Sequence, residues 1–168
     1  MSEHTTESTR IEPALEGEVP ITVKVVLTAM GGGFVGMVLM LPVLVGLPLV
    51  FDLFRTEPIA NFAPFITYFG IEPSLALGVG LFVIGGTTIL PLVFVVVGSF
   101  LPPEQPRYAR GVTFATIFWL GFVLAFWPGG DGLTVSLFVV VSLLAHWVYG
   151  AALGSVLSRT TGIPQHEV

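Results

Sequence analysis

Apolar positions gather into four long runs, at residues 22–47, 74–101, 109–127 and 133–157, separated by short polar breaks. Each run holds at most one charged side chain, and holds it at an end: Lys24 in the first, Arg110 in the third. A helix rises ~1.5 Å per residue, so about 20 consecutive apolar residues cross the ~30 Å of hydrocarbon in a bilayer. The runs reach or approach that length. They predict an all-α fold, a polytopic membrane four-helix bundle. Between the first two runs, Ile59, Phe62, Ile66 and Phe69 recur at helical spacing. That pattern predicts a short interfacial helix over 59–69, bent at Pro64. The domain organisation that follows is an acidic disordered tail at 1–20, one transmembrane domain at 21–158 and a short C-terminal tail at 159–168.

Composition agrees with the pattern. The 168 residues are 54% hydrophobic and 10% charged, against about 25% charged in soluble domains. Four spans leave no room for a separate soluble catalytic domain. The net charge is −5, and Glu3, Glu7, Glu12, Glu16 and Glu18 all precede the first run. Lys24 is the only lysine. An acidic, lysine-poor exterior suits a high-salt cytoplasm, where carboxylates hold water and ions; an ordinary acidic tail has the same composition. Such a chain has no basic stripe for nucleic acid. The absence of Cys excludes disulfides, thiolate metal sites and Cys nucleophiles. Residues 1–18 lack the apolar core of a signal peptide, so the chain is expected to insert uncleaved through its first helix.

Basic residues set the expected orientation. Arg10, Lys24, Arg107, Arg110 and Arg159 fall on one side of an alternating topology and Arg55 alone on the other. The positive-inside rule then puts both termini in the cytoplasm of a multi-pass cell-membrane protein.

Small residues and prolines mark how the spans should pack. Gly32 and Gly36 in the first, and Gly150 and Gly154 in the fourth, repeat at the spacing that lets helix backbones approach closely. Pro42 and Pro91 each deny a donor to the carbonyl four residues earlier, which predicts kinks there. Thr87 and Thr88 stand where hydroxyls can satisfy a bent backbone.

One ionisable side chain is expected at depth. His146 lies near the middle of the fourth run, in a stripe Ser142, His146, Gly150, Gly154 that occupies one helix face. Thr87, Thr88 and Met37 fall at similar depth. A hydrogen bond from the imidazole to a Thr or a backbone carbonyl would lock the bundle. Intramembrane ionisable groups also serve as ligands or proton relays. No cofactor is predicted outright. Haem stays open through a His146/Met37 pair, or through one His from each chain of a dimer; His4 and His166 lie in the tails. Met30, Met37 and Met40 equally suit gap filling. No phosphate loop, metalloprotease motif, paired carboxylates or Ser–His–Asp grouping occurs, so no catalytic residue and no metal site is expected.

Two segments carry a resemblance: Ala29-Met30-Gly31-Gly32-Gly33-Phe34-Val35-Gly36-Met37, and His146-Trp147-Val148-Tyr149-Gly150-Ala151-Ala152-Leu153-Gly154. In them the chain resembles an uncharacterised haloarchaeal family of small four-helix membrane proteins. It departs from that pattern in having no His between Ser74 and Leu101. The resemblance implies an accessory component of respiratory membranes, in some cases beside a terminal oxidase. Three functional expectations follow. The first is a non-catalytic accessory or assembly subunit of a larger membrane complex, with a membrane-protein partner or a second copy beside it in the lipid. The second is a homo-oligomeric transporter or channel. The third is a haem- or quinone-handling protein centred on His146.

Overall fold

The structure, a computed structural model, describes residues 20–46, 70–72 and 74–164. The acidic tail, the expected interfacial helix at 59–69 and the last four residues lie outside the described residues.

Helix α1, Val23–Leu41, runs on through a π-helical turn, Pro42–Gly46. Helices α2, Leu75–Ile84, and α3, Leu90–Val97, form one rod joined by a second π turn, Gly85–Ile89, and closed by a 3-10 turn, Gly98–Phe100. Helices α4, Ala109–Ala125, and α5, Gly132–Thr160, complete the bundle. There is no strand among the described residues. Among the described residues three rods, Val23–Gly46, Leu75–Phe100 and Gly132–Thr160, are long and apolar enough to cross a membrane. The third run gives a helix of 17 residues, at the short limit for a span. It stops at Ala125 because Pro128 follows. A residue before proline is driven out of the helical region, and the chain has already left it at Phe126, φ −117° and ψ 24°.

Polar residues close the helix ends. The Thr22 hydroxyl accepts from the Val25 amide at 3.3 Å, the Ser74 hydroxyl from Leu77 at 3.2 Å and the Asp131 carboxylate from Thr134 at 2.7 Å. Each satisfies an amide that has no carbonyl within the helix. At the far end of α5, Gly162 takes φ +79° and its amide donates to the Leu157 carbonyl at 2.8 Å. That left-handed residue turns the chain back, a role glycine fills without strain, and it returns the fully buried Ile163 against Gly98.

Neighbouring rods run antiparallel. Going up α1, Gly32 meets Leu153 and Val156, and Gly36 meets Tyr149. Going up α4, Tyr108 meets Gly154 and Gly111 meets Gly150. Gly33 meets Pro91 and Met37 meets Gly86. Helix α5 is therefore the central rod, flanked by α1 and α4. Lys24, Arg107, Arg110 and Arg159 collect at one end of the bundle, with Pro20 and Pro164; Asp131 and Glu72 stand at the other. The core includes Met37, Met40, Phe94, Phe114, Phe138, Tyr149 and Leu153. The perimeter is apolar as well: Leu27, Phe34, Val38, Ile84, Val96, Leu120 and Leu124 are exposed, Leu124 at 83%.

Candidate functional site: an apolar cleft around His146

The site is built on helix interfaces too close for side chains. At Gly150 a Cβ atom would run into the Gly111 carbonyl and stand 2.7 Å from the Ala115 Cβ; at Gly154 it would strike the Tyr108 carbonyl. At Gly36 it would lie 2.6 Å from the Tyr149 ring, and at Gly32 3.2 Å from Val156. Ser142 is fully buried on the same face of α5 and accepts the Trp119 indole N–H at 3.0 Å. The helix-packing residues named from spacing thus all sit at interfaces, Gly32 and Gly36 between α1 and α5, Ser142, Gly150 and Gly154 between α5 and α4.

The second rod supplies one wall. In the π turn the Leu90 amide reaches back to the Gly85 carbonyl, and the next residue, Pro91, has no amide hydrogen. The Gly86 carbonyl is left without a donor from its own helix. The Tyr149 hydroxyl donates to it at 2.6 Å. Gly86 has no side chain, and Met37 lies directly over it; a Cβ would collide with the thioether. Thr88 caps the same bend by donating to the Ile84 carbonyl at 2.6 Å. The Thr87 hydroxyl is buried with no partner among the described residues. π turns stand beside both prolines: one begins at Pro42, the other ends two residues before Pro91. Turns of this kind recur at functional sites.

Between α2 and α4 the bundle is open. These helices do not pack along their length; the Phe82 and Phe122 rings bridge them edge-on, 6.0 Å apart. Behind that bridge lies a cavity of about 220 Å³, open on one side and lined by Met37, Met40, Phe82, Gly86, Phe118, Gly121, Phe122, His146 and Tyr149 among others. Gly85 and Gly121 widen it: a Cβ on either would touch nothing within 4 Å.

His146 is a titratable residue of this wall whose polar atoms are not fully engaged. Its Nδ1 lies 2.7 Å from the Ser142 carbonyl. A carbonyl only accepts, so Nδ1 carries the proton, and in the neutral ring Nε2 is left as an acceptor for whatever enters the cavity. The Phe122 ring packs against the imidazole at 4.9 Å. The imidazole hydrogen bond does not link helices, because its partner carbonyl belongs to its own helix. The links across helices come from Tyr149 to Gly86, from Trp119 to Ser142 and from Trp147 Nε1 to the Thr116 hydroxyl at 3.0 Å. Sequence reasoning passed over those aromatic residues. The signal was present: a buried Tyr or Trp needs a partner for its polar tip, and Gly86 precedes Pro91 by the interval a π turn leaves unpaired.

Met37 and His146 do line one cavity, with the Met37 sulfur turned onto Gly86. Among the described residues no group of three or more His, Asp or Glu is placed to hold a metal ion. The arrangement offers a largely apolar slot whose wall includes the His146 imidazole.

No curated protein and no solved structure matches the chain. Residues 23–168, covering the whole bundle, match DUF6789, a family of unknown function, and the chain belongs to that family.

Proposed function

We propose that this chain is an integral membrane protein that takes an apolar, hydroxyl-bearing molecule from the lipid phase into the cleft between α2 and α4. A quinol-type ring is the chemistry that suits it best. The observation that carries this reading is the cavity wall: apolar almost throughout, open on one side, with His146 Nε2 left to accept one hydrogen bond. Ligand sites of this kind combine an apolar surface with a few fixed polar groups. The Tyr149 hydroxyl gives its hydrogen to Gly86, so it too can only accept from a molecule in the cleft. The apolar perimeter supports a lipid surrounding. Collection of the basic residues at one end supports four crossings with both chain ends on the cytoplasmic side. The role is binding, with no intrinsic catalysis.

The accessory-subunit expectation, including a place beside a respiratory oxidase, is compatible with quinol binding and adds a partner that delivers or receives the ring. The channel expectation draws no support from this cleft, which offers no polar path. The test is ligand retention after mild detergent extraction, read by mass spectrometry of the intact complex. The wild type retains an apolar hydroxylated molecule. Gly121→Leu, which adds bulk where a Cβ has open space, and His146→Ala both lose it. A wild type that retains none from native membranes, or retention unchanged in both variants, would sink the reading.

A further inference from the structure

At the basic end of the bundle lies a second pocket, of different chemistry. It has a volume of about 540 Å³ and is lined by Ser99, Leu101, Glu104, Gln105, Arg107 and Arg110, among others. Arg110, on the first turn of α4, is only 6% exposed. Its Nε donates to the Pro103 carbonyl at 3.1 Å, while Nη1 is buried with no hydrogen-bond partner among the described residues. The Ser99 hydroxyl, on the 3-10 turn that also lines the pocket, is likewise buried without a partner among the described residues. A charged N–H and a hydroxyl left unpaired inside a protein are costly. A long Arg near a helix end ordinarily extends its head to water; this one is held under the 101–106 segment. That segment is tied down twice, by Arg110 to Pro103 and by the Thr113 hydroxyl to the Pro102 carbonyl at 2.6 Å. The pocket is therefore preformed.

We infer that this pocket binds a phosphate group, with Arg110 Nη1 and the Ser99 hydroxyl donating to its oxygens. Guanidinium and phosphate match in geometry and charge. Among the described residues of the wall, Arg110 brings a guanidinium with an unpartnered Nη1. Basic pockets between helices at a membrane's edge suit anionic lipid headgroups, and a soluble phosphate ester presents the same oxygens. The site stands apart from the His146 cleft, and its test is independent of that reading.

The experiment measures the unfolding midpoint of the purified protein in three settings: phosphatidylcholine bicelles, the same bicelles doped with phosphatidylglycerol, and phosphatidylcholine bicelles with added inorganic phosphate. Phosphatidylglycerol raises the wild-type midpoint above that in phosphatidylcholine alone. Ser99→Ala weakens the phosphatidylglycerol response about tenfold in lipid concentration, as loss of one charge-assisted hydrogen bond implies. Arg110→Gln removes the response, and Glu104→Gln strengthens it. If inorganic phosphate raises the midpoint as well, the physiological ligand is a soluble phosphate ester; if phosphatidylglycerol alone does so, it is a lipid headgroup. The inference is overturned if neither addition moves the wild type, or if Ser99→Ala responds as fully as the wild type. Ser99→Ala, a small change on a 3-10 turn, keeps the test decisive even where Arg110→Gln fails to fold.

Discussion

The Tyr149 hydroxyl and the Gly86 carbonyl, 63 positions apart in the chain, meet at 2.6 Å because Pro91 leaves that carbonyl without a partner in its own helix. Removing the hydroxyl strands a buried acceptor. Tyr149→Phe should therefore cost about 1–3 kcal/mol of stability. Pro91→Ala gives residue 91 an amide hydrogen that can reach Gly86, so the same Tyr149→Phe change should cost less in that background. A double-mutant cycle of denaturant midpoints measures the difference; equal costs in both backgrounds would refute the account of the π turn.

Glycines in this bundle divide into two groups with opposite responses. Gly150→Ala drives a methyl into the Gly111 backbone, which cannot swing aside as a side chain would. It should destabilise by at least the ~1–3 kcal/mol of an overpacked core. Gly31 has nothing within 4 Å of a Cβ position. Gly31→Ala should be neutral or stabilising by up to about 1 kcal/mol through helix propensity. Thermal unfolding of the two variants in one detergent separates them.

Trp119 reports on the interface between α4 and α5. Its indole N–H donates to the Ser142 hydroxyl at 3.0 Å. Ser142→Ala removes the acceptor and leaves the indole donor without it, at a cost of about 1–3 kcal/mol. The accompanying observable is a change in tryptophan emission. Trp119→Phe in the Ser142→Ala background should recover part of the stability, since neither polar group then remains; no recovery would mean that the hydrogen bond carries none of it.

Asp131 gives the bundle an acid-sensitive end. Its carboxylate accepts the Thr134 amide, which holds its pKa below the ordinary value of 3.8. A depressed pKa in the folded state means that the capping contribution is fully present above pH 3.8 and is lost as pH falls through the lower, folded value. Unfolding midpoints should drop on that acid limb for the wild type and drop less for Asp131→Asn, which caps without titrating. Identical acid limbs would remove Asp131 from the account.

Much of this architecture is legible along the chain. The apolar runs locate the helices, and the spacing of Gly32, Gly36, Gly150 and Gly154 marks residues that the structure sets at interfaces. Those features are local or periodic, and a single sequence carries them. The cleft is not legible in that way. It exists because α2 and α4 fail to pack, a relation between segments that have no common pattern. The imidazole is conspicuous as an ionisable group in an apolar run, yet the pattern does not show that its partner is the Ser142 carbonyl one turn earlier on its own helix. Tyr149, a better cross-link, was hidden by looking like one more aromatic residue. Arg110 read simply as a topology signal, because its burial depends on how the proline-rich segment at 101–106 folds over it.

The brevity of α4 bears on how the molecule sits in its surroundings. Seventeen residues make a rod of roughly 26 Å, at ~1.5 Å each, while α5 beside it has 29 and rises well past a bilayer core. Under the proposed membrane reading, a bilayer that thins to meet α4, one response of membranes to short hydrophobic segments, would thin on the flank beside the cleft. A lipid-borne molecule with one polar end would then have its shortest route in from that side.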